Sequence, residues 1–549
     1  MPRKGYSSGV RIFASADTFI ESSRPSLRLG RLVANATFLE ALLRHGPYDR
    51  FEFFCPTVDE GRRLREWIAA LPDGRNLVAR IATRPQLELP EAMSGADWEV
   101  VHSGGWSRYL GALAWLRANR AARPFPLTGT IHSLNDPSMA GMLRRLVAAP
   151  TGPCDAVICT SRDGRESFRR QLGMVGGGFR GRLEIAPLGV DERYFLRRDK
   201  DQARRRLAIP PDARVALWIG RLSAASKADL HPLLYQWRAI VSESVGKRLL
   251  VLAGGGSEGD LVSLRATVDE LGLAAHVGIR PDIEDAEKLD LLAAADVFVS
   301  PVDNQQETFG IAVVEAMASG LPVVASRWDG YKDLVEDGAT GALVPVRWAP
   351  PPPEAIALRA VLEPNLSQLA TSQGVAVDPG CLRAAIARYL DDPALARSSG
   401  DAGRERAERL FSWKAVVGRL AGIWQDLRRE ADRMDVPGKG GGPDPEILDP
   451  AEAFRHYAEP APDLDPLLRL SSLGEAILRG ELPMPPTFGD LMPISDGKLL
   501  SALVVNMRHG QRKLSDHARL CAVLAGRSRE EAVWQVHWLL KYGVLEAAD

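Results

Sequence analysis

The sequence predicts an α/β protein in which two Rossmann-like, doubly wound domains face a cleft and a small, mainly helical module follows at the C-terminus. Three observations predict it. Short apolar runs alternate with amphipathic stretches through the first part of the chain, and the alternation restarts near residue 215. A Pro/Gly-rich segment, "DVPGKGGGPDP" (435–445), then cuts off a region without strand alternation. At 549 residues the chain can bury several separate cores.

In the first half, "VRIFAS" (10–15), "FEFFCP" (51–56), "EVVHSG" (99–104), "LTGTIHS" (127–133) and "AVICTS" (156–161) read as strands. Between them lie helical patterns such as "NATFLEALLRHG" and "RYLGALAWLRANRAA". In the second half the strands are "VALWIGRL" (215–222), "RLLVLAGGG" (248–256), "HVGIRP" (276–281), "DVFVSP" (296–301), "LPVVAS" (321–326) and "ALVPV" (342–346). The halves join near "EIAPLGVDERYF" (184–195), where Pro187 and Gly189 punctuate a hinge. "RWAPPPPEA" (347–355) reads as a rigid surface loop, with helices over about 380–432. The expected domains are residues 1–190, residues 191–434 with a helix crossing back, a linker at 435–446 and an accessory module at 447–549.

Composition narrows the function classes. The chain is 45% hydrophobic and 25% charged, with formal net charge −1, so no global basic excess points to nucleic acid or an anionic membrane. Its five cysteines are odd in number and lack metal-ligand spacing, which fits a reduced, cytoplasmic setting. The basic opening "MPRKGYSSGVRIFAS" has too short an apolar part for a signal peptide, and no run approaches the ~20 apolar residues of a membrane span. "MLRRLVA" (142–148) and "SFRRQL" (167–172) leave room for peripheral contact with the inner membrane face, although solvated helix faces are the commoner reading. The C-terminal "SDHARLCAVLAG…REEAVWQVHWLLKYGVLE" reads as two or three short helices faintly like a winged-helix element. Its mixed charge favours docking a protein or another subunit over nucleic acid, with core packing as the default.

In an open parallel sheet, ligands bind beyond the carboxyl ends of the strands. In the second half those ends carry Gly220-Arg221, Lys227 six residues on, Gly254, and the loop that leads into "ETFGIAVVEAMASGLPVVAS". Taken singly, Arg221 and Lys227 also fit solvated loop cations, and Gly254 fits a tight turn. The helix is expected to start near Gly310 and to stop at Gly320-Leu321-Pro322, with Glu307 in the preceding loop and Glu315 in the second turn. Exposed N–H groups there suit phosphate. Carboxylates repel phosphate, so Glu307 and Glu315 are better read as acceptors for the hydroxyls of a ribose and a sugar.

On these residues the second half resembles the retaining glycosyltransferases of the GT-B fold, family four (group 1), the large family typified by bacterial mannosyl- and glucosyltransferases. The E-x(7)-E pair followed by "AMASGLPVVAS", the "GR" with its later lysine, "APLGVD" and "FSW" carry the likeness, which spans roughly residues 95–432. The resemblance implies that Arg221 and Lys227 hold a donor pyrophosphate, Glu315 a ribose and Glu307 the donor sugar. It implies that His132, in "GTIHSLND", contacts sugar and phosphate. The implied donor set is Gly220, Arg221, Lys227, Gly254, Glu307, Thr308, Phe309, Gly310, Ile311 and Glu315, and the implied catalytic set is His132, Glu307, Arg221 and Lys227. The implied reaction retains anomeric configuration, uses neither metal nor other cofactor, and moves a hexose from a nucleoside-diphosphate sugar to a glycan, lipid-linked or protein acceptor in glycan synthesis.

Two departures stand out. The loop after the first strand, "ASADTFIESSRPSLRLGRL", lacks the family's Gly-Gly pair, and "DGYKDL" keeps Gly330 but has Asp329 beside it. They motivate the alternative of a catalytically impaired nucleotide-sugar-binding or regulatory protein. An epimerase or phosphorylase on the same scaffold is a third reading, disfavoured by the glutamate pair.

Overall fold

The alternating runs fold into two parallel sheets. The computed structural model describes residues 9–20, 30–435, 442, 444–457, 465–491, 494–526 and 528–548. The first sheet contains β1 (Ile12–Ser15), β2 (Arg50–Cys55), β3 (Ile81–Pro85), β4 (Trp98–Ser103), β5 (Leu127–Thr130), β6 (Ala156–Cys159) and β7 (Arg182–Ile185), in the order β3-β2-β1-β4-β5-β6-β7. The second contains β8 (Arg214–Ile219), β9 (Arg248–Ala253), β10 (Val277–Arg280), β11 (Val297–Ser300), β12 (Val323–Ser326) and β13 (Gly341–Val344), in the order β10-β9-β8-β11-β12-β13. In both, the order reverses beside the first strand, which opens a crevice at the carboxyl edge.

β3 and β7 are absent from the sequence expectation, and both lie at sheet edges. Edge strands are half-solvated and need no apolar alternation. β7, "RLEI", has no fully buried residue, and β3, "IATRP", buries only Ile81. The expected hinge at 184–195 also begins inside β7, so the crossing starts after Ile185.

Two chain crossings join the lobes and lie against one another. Val190 N–H donates to Phe411 O at 2.9 Å, and a Cβ on Gly189 would fall 2.3 Å from the Trp413 ring. Ser412 caps the helix Trp413–Ala431 through Ala415 N–H. This helix buries Trp413, Val416, Leu420, Trp424 and Leu427 among Phe13, Leu39 and Phe51 of the first lobe.

The segment expected as a rigid loop at 347–355 is partly regular instead. Val346–Trp348 pairs antiparallel with Val375–Val377, and a short helix begins at Pro353. Proline fits that first helical turn because its missing N–H would have no intrahelical acceptor there. The linker expected at 435–446 lies largely outside the described residues. Its end touches the first lobe, where Gly442 O accepts from Asn119 Nδ2 and Asp444 pairs with Arg145 at 3.3 Å. The C-terminal module packs helices Gly497–Asn506, Leu514–Ala525 and Arg529–Lys541 through Leu500, Leu503, Val536 and Leu539. It also carries a small antiparallel sheet in which Leu467–Leu470 lies between Arg512–Lys513 and Leu545–Ala547. No alternation announces strands this short. Among the described residues no helix is long and apolar enough to cross a membrane.

Candidate functional site

The loops leaving β8, β9 and β11 meet at the carboxyl edge of the second sheet. Gly254 has φ +135, and a Cβ there would strike Gly220 O at 2.1 Å. Its glycine character therefore comes from close packing of two loops. A Cβ on Gly220 would come 3.4 Å from Lys227 Cε, so the glycine pair seats the lysine stem. The loop after β11 braces the same lysine loop. Asn304 Nδ2 donates to Ala225 O at 2.8 Å, and Asp303 accepts Asp229 N–H at 3.2 Å. Burial pushes the Asp303 carboxyl up to about 7.

Lys227 Nζ forms an ion pair with Glu307, and both side chains are largely buried. Glu307 Oε1 also accepts the N–H groups of Thr308 and Phe309, each at 3.2 Å. Burial raises the Glu307 carboxyl, but Lys227 and these two N–H groups outweigh it and hold the group below the ordinary glutamate range. Arg221 donates to Ser226 O at 2.7 Å. Desolvation lowers its guanidinium while Glu307 opposes that shift, and an arginine stays charged at neutral pH.

The helix Ile311–Ala318 is capped by Gly310 at φ +105, where a Cβ would fall 2.3 Å from the Tyr331 ring. Tyr331 hydroxyl meets Ser300 Oγ at 2.8 Å and donates to Glu307 at 3.4 Å, so the ring fixes both the cap and the carboxylate. Val313 and Val314 N–H both turn back to Gly310 O. The N–H groups of Ile311 and Ala312 are the ones helix geometry leaves without an intrahelical acceptor.

Glu315 is buried in the second turn, as the spacing predicts. Its carboxylate is gripped by Lys288 Nζ at 2.6–2.7 Å, with Tyr194 alongside. Burial lowers the lysine's affinity for its proton, but Glu315 outweighs that and raises it. Burial and then Glu315 push the Tyr194 hydroxyl up to about 12. Glu315 thus anchors a separate cluster one helix turn below the Glu307 group.

The first lobe closes over this edge. His132 follows β5, and its carbonyl accepts from Thr308 Oγ1 at 3.1 Å. Its Nε2 donates to Gly104 O, so that nitrogen carries a proton. Thr308 O in turn accepts from Ser161 Oγ at 2.8 Å and Thr160 Oγ1 at 3.2 Å. Arg162 binds Asp333 through its main-chain N–H at 2.6 Å and through Nε at 2.5 Å, and Lys332 pairs with Asp163. Asp329, the departure from the family pattern, sits at φ +40, a left-handed position that aspartate tolerates better than most residues. Burial and then the nearby Glu307 charge raise its carboxyl well above the ordinary value.

The structure therefore joins Gly220, Lys227, Gly254, Glu307, Thr308, Phe309 and Gly310 with His132 in one contiguous set. Arg221 and Ile311 border it, and Glu315 lies beneath. Sequence reasoning missed Lys288, Asp303, Asn304, Tyr331 and the serine cap Ser161. Tyr331 stands within "DGYKDL" and carried a usable signal, being an aromatic beside the expected glycine.

Comparison with known proteins agrees with the two-lobed fold. Residues 199–357 match the glycosyl transferases group 1 and residues 35–194 match glycosyltransferase family 4. A D-inositol 3-phosphate glycosyltransferase of Acidothermus cellulolyticus is 32% identical over 277 residues, covering 47% of this chain and 60% of its own length. A D-inositol 3-phosphate glycosyltransferase 2 of Catenulispora acidiphila is 27% identical over 347 residues, covering 60% and 72% respectively. The match thus spans less than two thirds of the Acidothermus relative. Among solved structures, a sucrose-phosphate synthase from Thermosynechococcus elongatus aligns with TM-score 0.52 at 22% identity, covering 77% of this chain and all of that one. Anabaena HepE in complex with UDP aligns with TM-score 0.50 at 15% identity, covering 76% of this chain and all of that one. With each lobe matched by its own glycosyltransferase family model and both sheets closing on one edge, the two lobes together have the GT-B fold.

Proposed function

We propose that the chain moves a hexose from a nucleoside-diphosphate sugar to an acceptor hydroxyl with retention of configuration. The observation that carries this reading is the Lys227–Glu307 pair, set between Arg221, the helix N-terminus at Gly310 and the first-lobe His132. Cations and uncommitted N–H groups suit a diphosphate, and a carboxylate fixed by two N–H groups suits sugar hydroxyls. The UDP in the HepE complex belongs to that protein, and supports only the choice of a nucleotide donor to test first.

In this mechanism the diphosphate lies on Arg221, Lys227 and the Ile311 and Ala312 N–H groups, which stabilise the charge developing on the leaving oxygen. The acceptor hydroxyl approaches C1 from the leaving-group face. The bond from C1 to the phosphate oxygen breaks, the bond from C1 to the acceptor oxygen forms, and the departing phosphate takes the hydroxyl proton. Glu307 orients the sugar and forms no covalent bond to it. Glu315 holds the ribose, sharing its charge with Lys288. Positive charge comes from the chain itself, so the mechanism calls on no metal.

The test is turnover with UDP-, GDP- and ADP-hexoses, with the product's anomeric configuration read by NMR. Release of nucleoside diphosphate with a product of the donor's configuration supports the reading. An inverted product overturns retention. Binding of every donor without turnover or hydrolysis selects the impaired, regulatory alternative, which the half-buried Asp329 beside Glu307 favours.

A further inference from the structure

We propose that the second lobe binds a small organic phosphate in a cavity on the face opposite the donor loops. The cavity has a volume of about 410 Å³, within the range of small-ligand sites. Arg214 opens β8, Asp296 precedes β11 and Gly320–Pro322 precede β12, so these walls mark the amino edge of the sheet. The donor loops leave the carboxyl edge, and none of the ten donor-set residues lines this cavity.

Its chemistry is biased. Seven basic side chains and two carboxylates line it, in a protein whose formal net charge is −1. Some of that charge is answered locally. Lys200 lies 2.6 Å from Asp296, and Arg197 makes only an exposed 3.3 Å pair with Asp401. Arg404 donates to the neutral carbonyls of Phe195 and Ala318. Arg214 and Arg397 make no ion pair or side-chain hydrogen bond among the described residues. Three arginines thus face the cavity without a carboxylate partner, and the guanidinium fork matches phosphate oxygens. Leu289, Leu292, Leu321 and Tyr389 supply an apolar wall, which suits an organic phosphate better than a bare inorganic ion.

The position matters as much as the charge. One wall, residues 193–200, is the chain just after it enters the second lobe, and another is the helix Pro393–Phe411, which leads back out of it. Arg404 already stitches these walls together through Phe195 O. A phosphate held between them sits where movement between the lobes is felt.

Calorimetry on the full chain tests this, with a hexose monophosphate and inorganic phosphate as probes and the uncharged hexose as control. Saturating nucleoside diphosphate occupies the donor site in one series, and an Arg221→Ala/Lys227→Ala background replaces it in a second. The second series keeps the result independent of the donor reading. The expected result is saturable hexose monophosphate binding, tighter than inorganic phosphate, in both series. Arg214→Ser with Arg397→Ser is expected to weaken it by about ten-fold or more, with an unchanged melting temperature because both side chains are exposed. Absence of saturable binding in the millimolar range overturns the proposal. So does binding that survives the Arg214/Arg397 substitutions, or binding that appears only when the donor-site cations are intact.

Discussion

Lys227 and Glu307 answer each other across two loops, and most of the site's behaviour at the residue scale follows from that pair. Removing donor-site cations should affect the reaction far more than the fold. Arg221→Ala is the cleaner change, because its one hydrogen bond goes to Ser226 O at the surface. Transfer is expected to fall on the order of 10²- to 10³-fold with the melting temperature kept, and near-normal turnover would count against the phosphate role. Lys227→Ala should abolish transfer as well, and it also strips Glu307 of its partner. Asp303 gives a pH prediction. Its folded pKa of about 7 lies above the ordinary 3.8, so the native state holds a proton the unfolded chain has released between those values. Stability should therefore decline as pH rises from about 4 to about 7 and level off above. Asp303→Asn should remove that decline, which denaturant midpoints at pH 5 and pH 8 will read. The glutamates were legible in the sequence because an apolar segment has few reasons to keep two carboxylates. Lys288 was not, since "DIEDAEKLDLL" reads as a solvated acidic helix. Asp303 was not either, because its burial arises only when two loops from different strands pack together.

At the scale of elements, the short helix Ile311–Ala318 depends on its cap. Gly310→Ala places a methyl against the Tyr331 ring at a left-handed φ, and a loss of about 2 kcal/mol or more in unfolding free energy is expected. A neutral result in chemical denaturation would show that the cap can relax. The start and second-turn placement of this helix could be read from the sequence, since a loop carboxylate, a glycine and an apolar run leave little choice. The strands buried on both faces could be read too, as continuous Val/Leu/Ile runs. β3, β7 and the pair Val346–Trp348 with Val375–Val377 could not, because edge strands and isolated pairs this short carry no period long enough to detect. The proline run at 350–353 signalled a loop, and its first three residues are irregular while the last, Pro353, starts a helix.

Across the whole molecule, the lobes are held by charges that alternate in sign over a small area: Arg162 on Asp333, and Lys332 on Asp163. Asp333→Arg should repel Arg162 and lower kcat/KM several-fold by favouring separated lobes. Arg162→Asp in the same chain should restore most of it, and failure of this rescue would deny the pair a role in closure. The two-lobed plan was plain from the restart of strand alternation, and the family likeness at "FSW" implied a helix crossing back to the first lobe, where its apolar face is buried. Amphipathicity alone says that a face is buried without saying where. Trp424 lies fully inside the first lobe, so Trp424→Ala should cost about 3–5 kcal/mol there. That ownership has an effect on biosynthesis. A ribosome that has delivered every strand of the leading lobe has still not delivered its keystone, which emerges more than two hundred residues after β7. A nascent chain cut at residue 411 should accordingly stay protease-sensitive and bind hydrophobic dye, and should become compact only when the segment 413–431 is supplied.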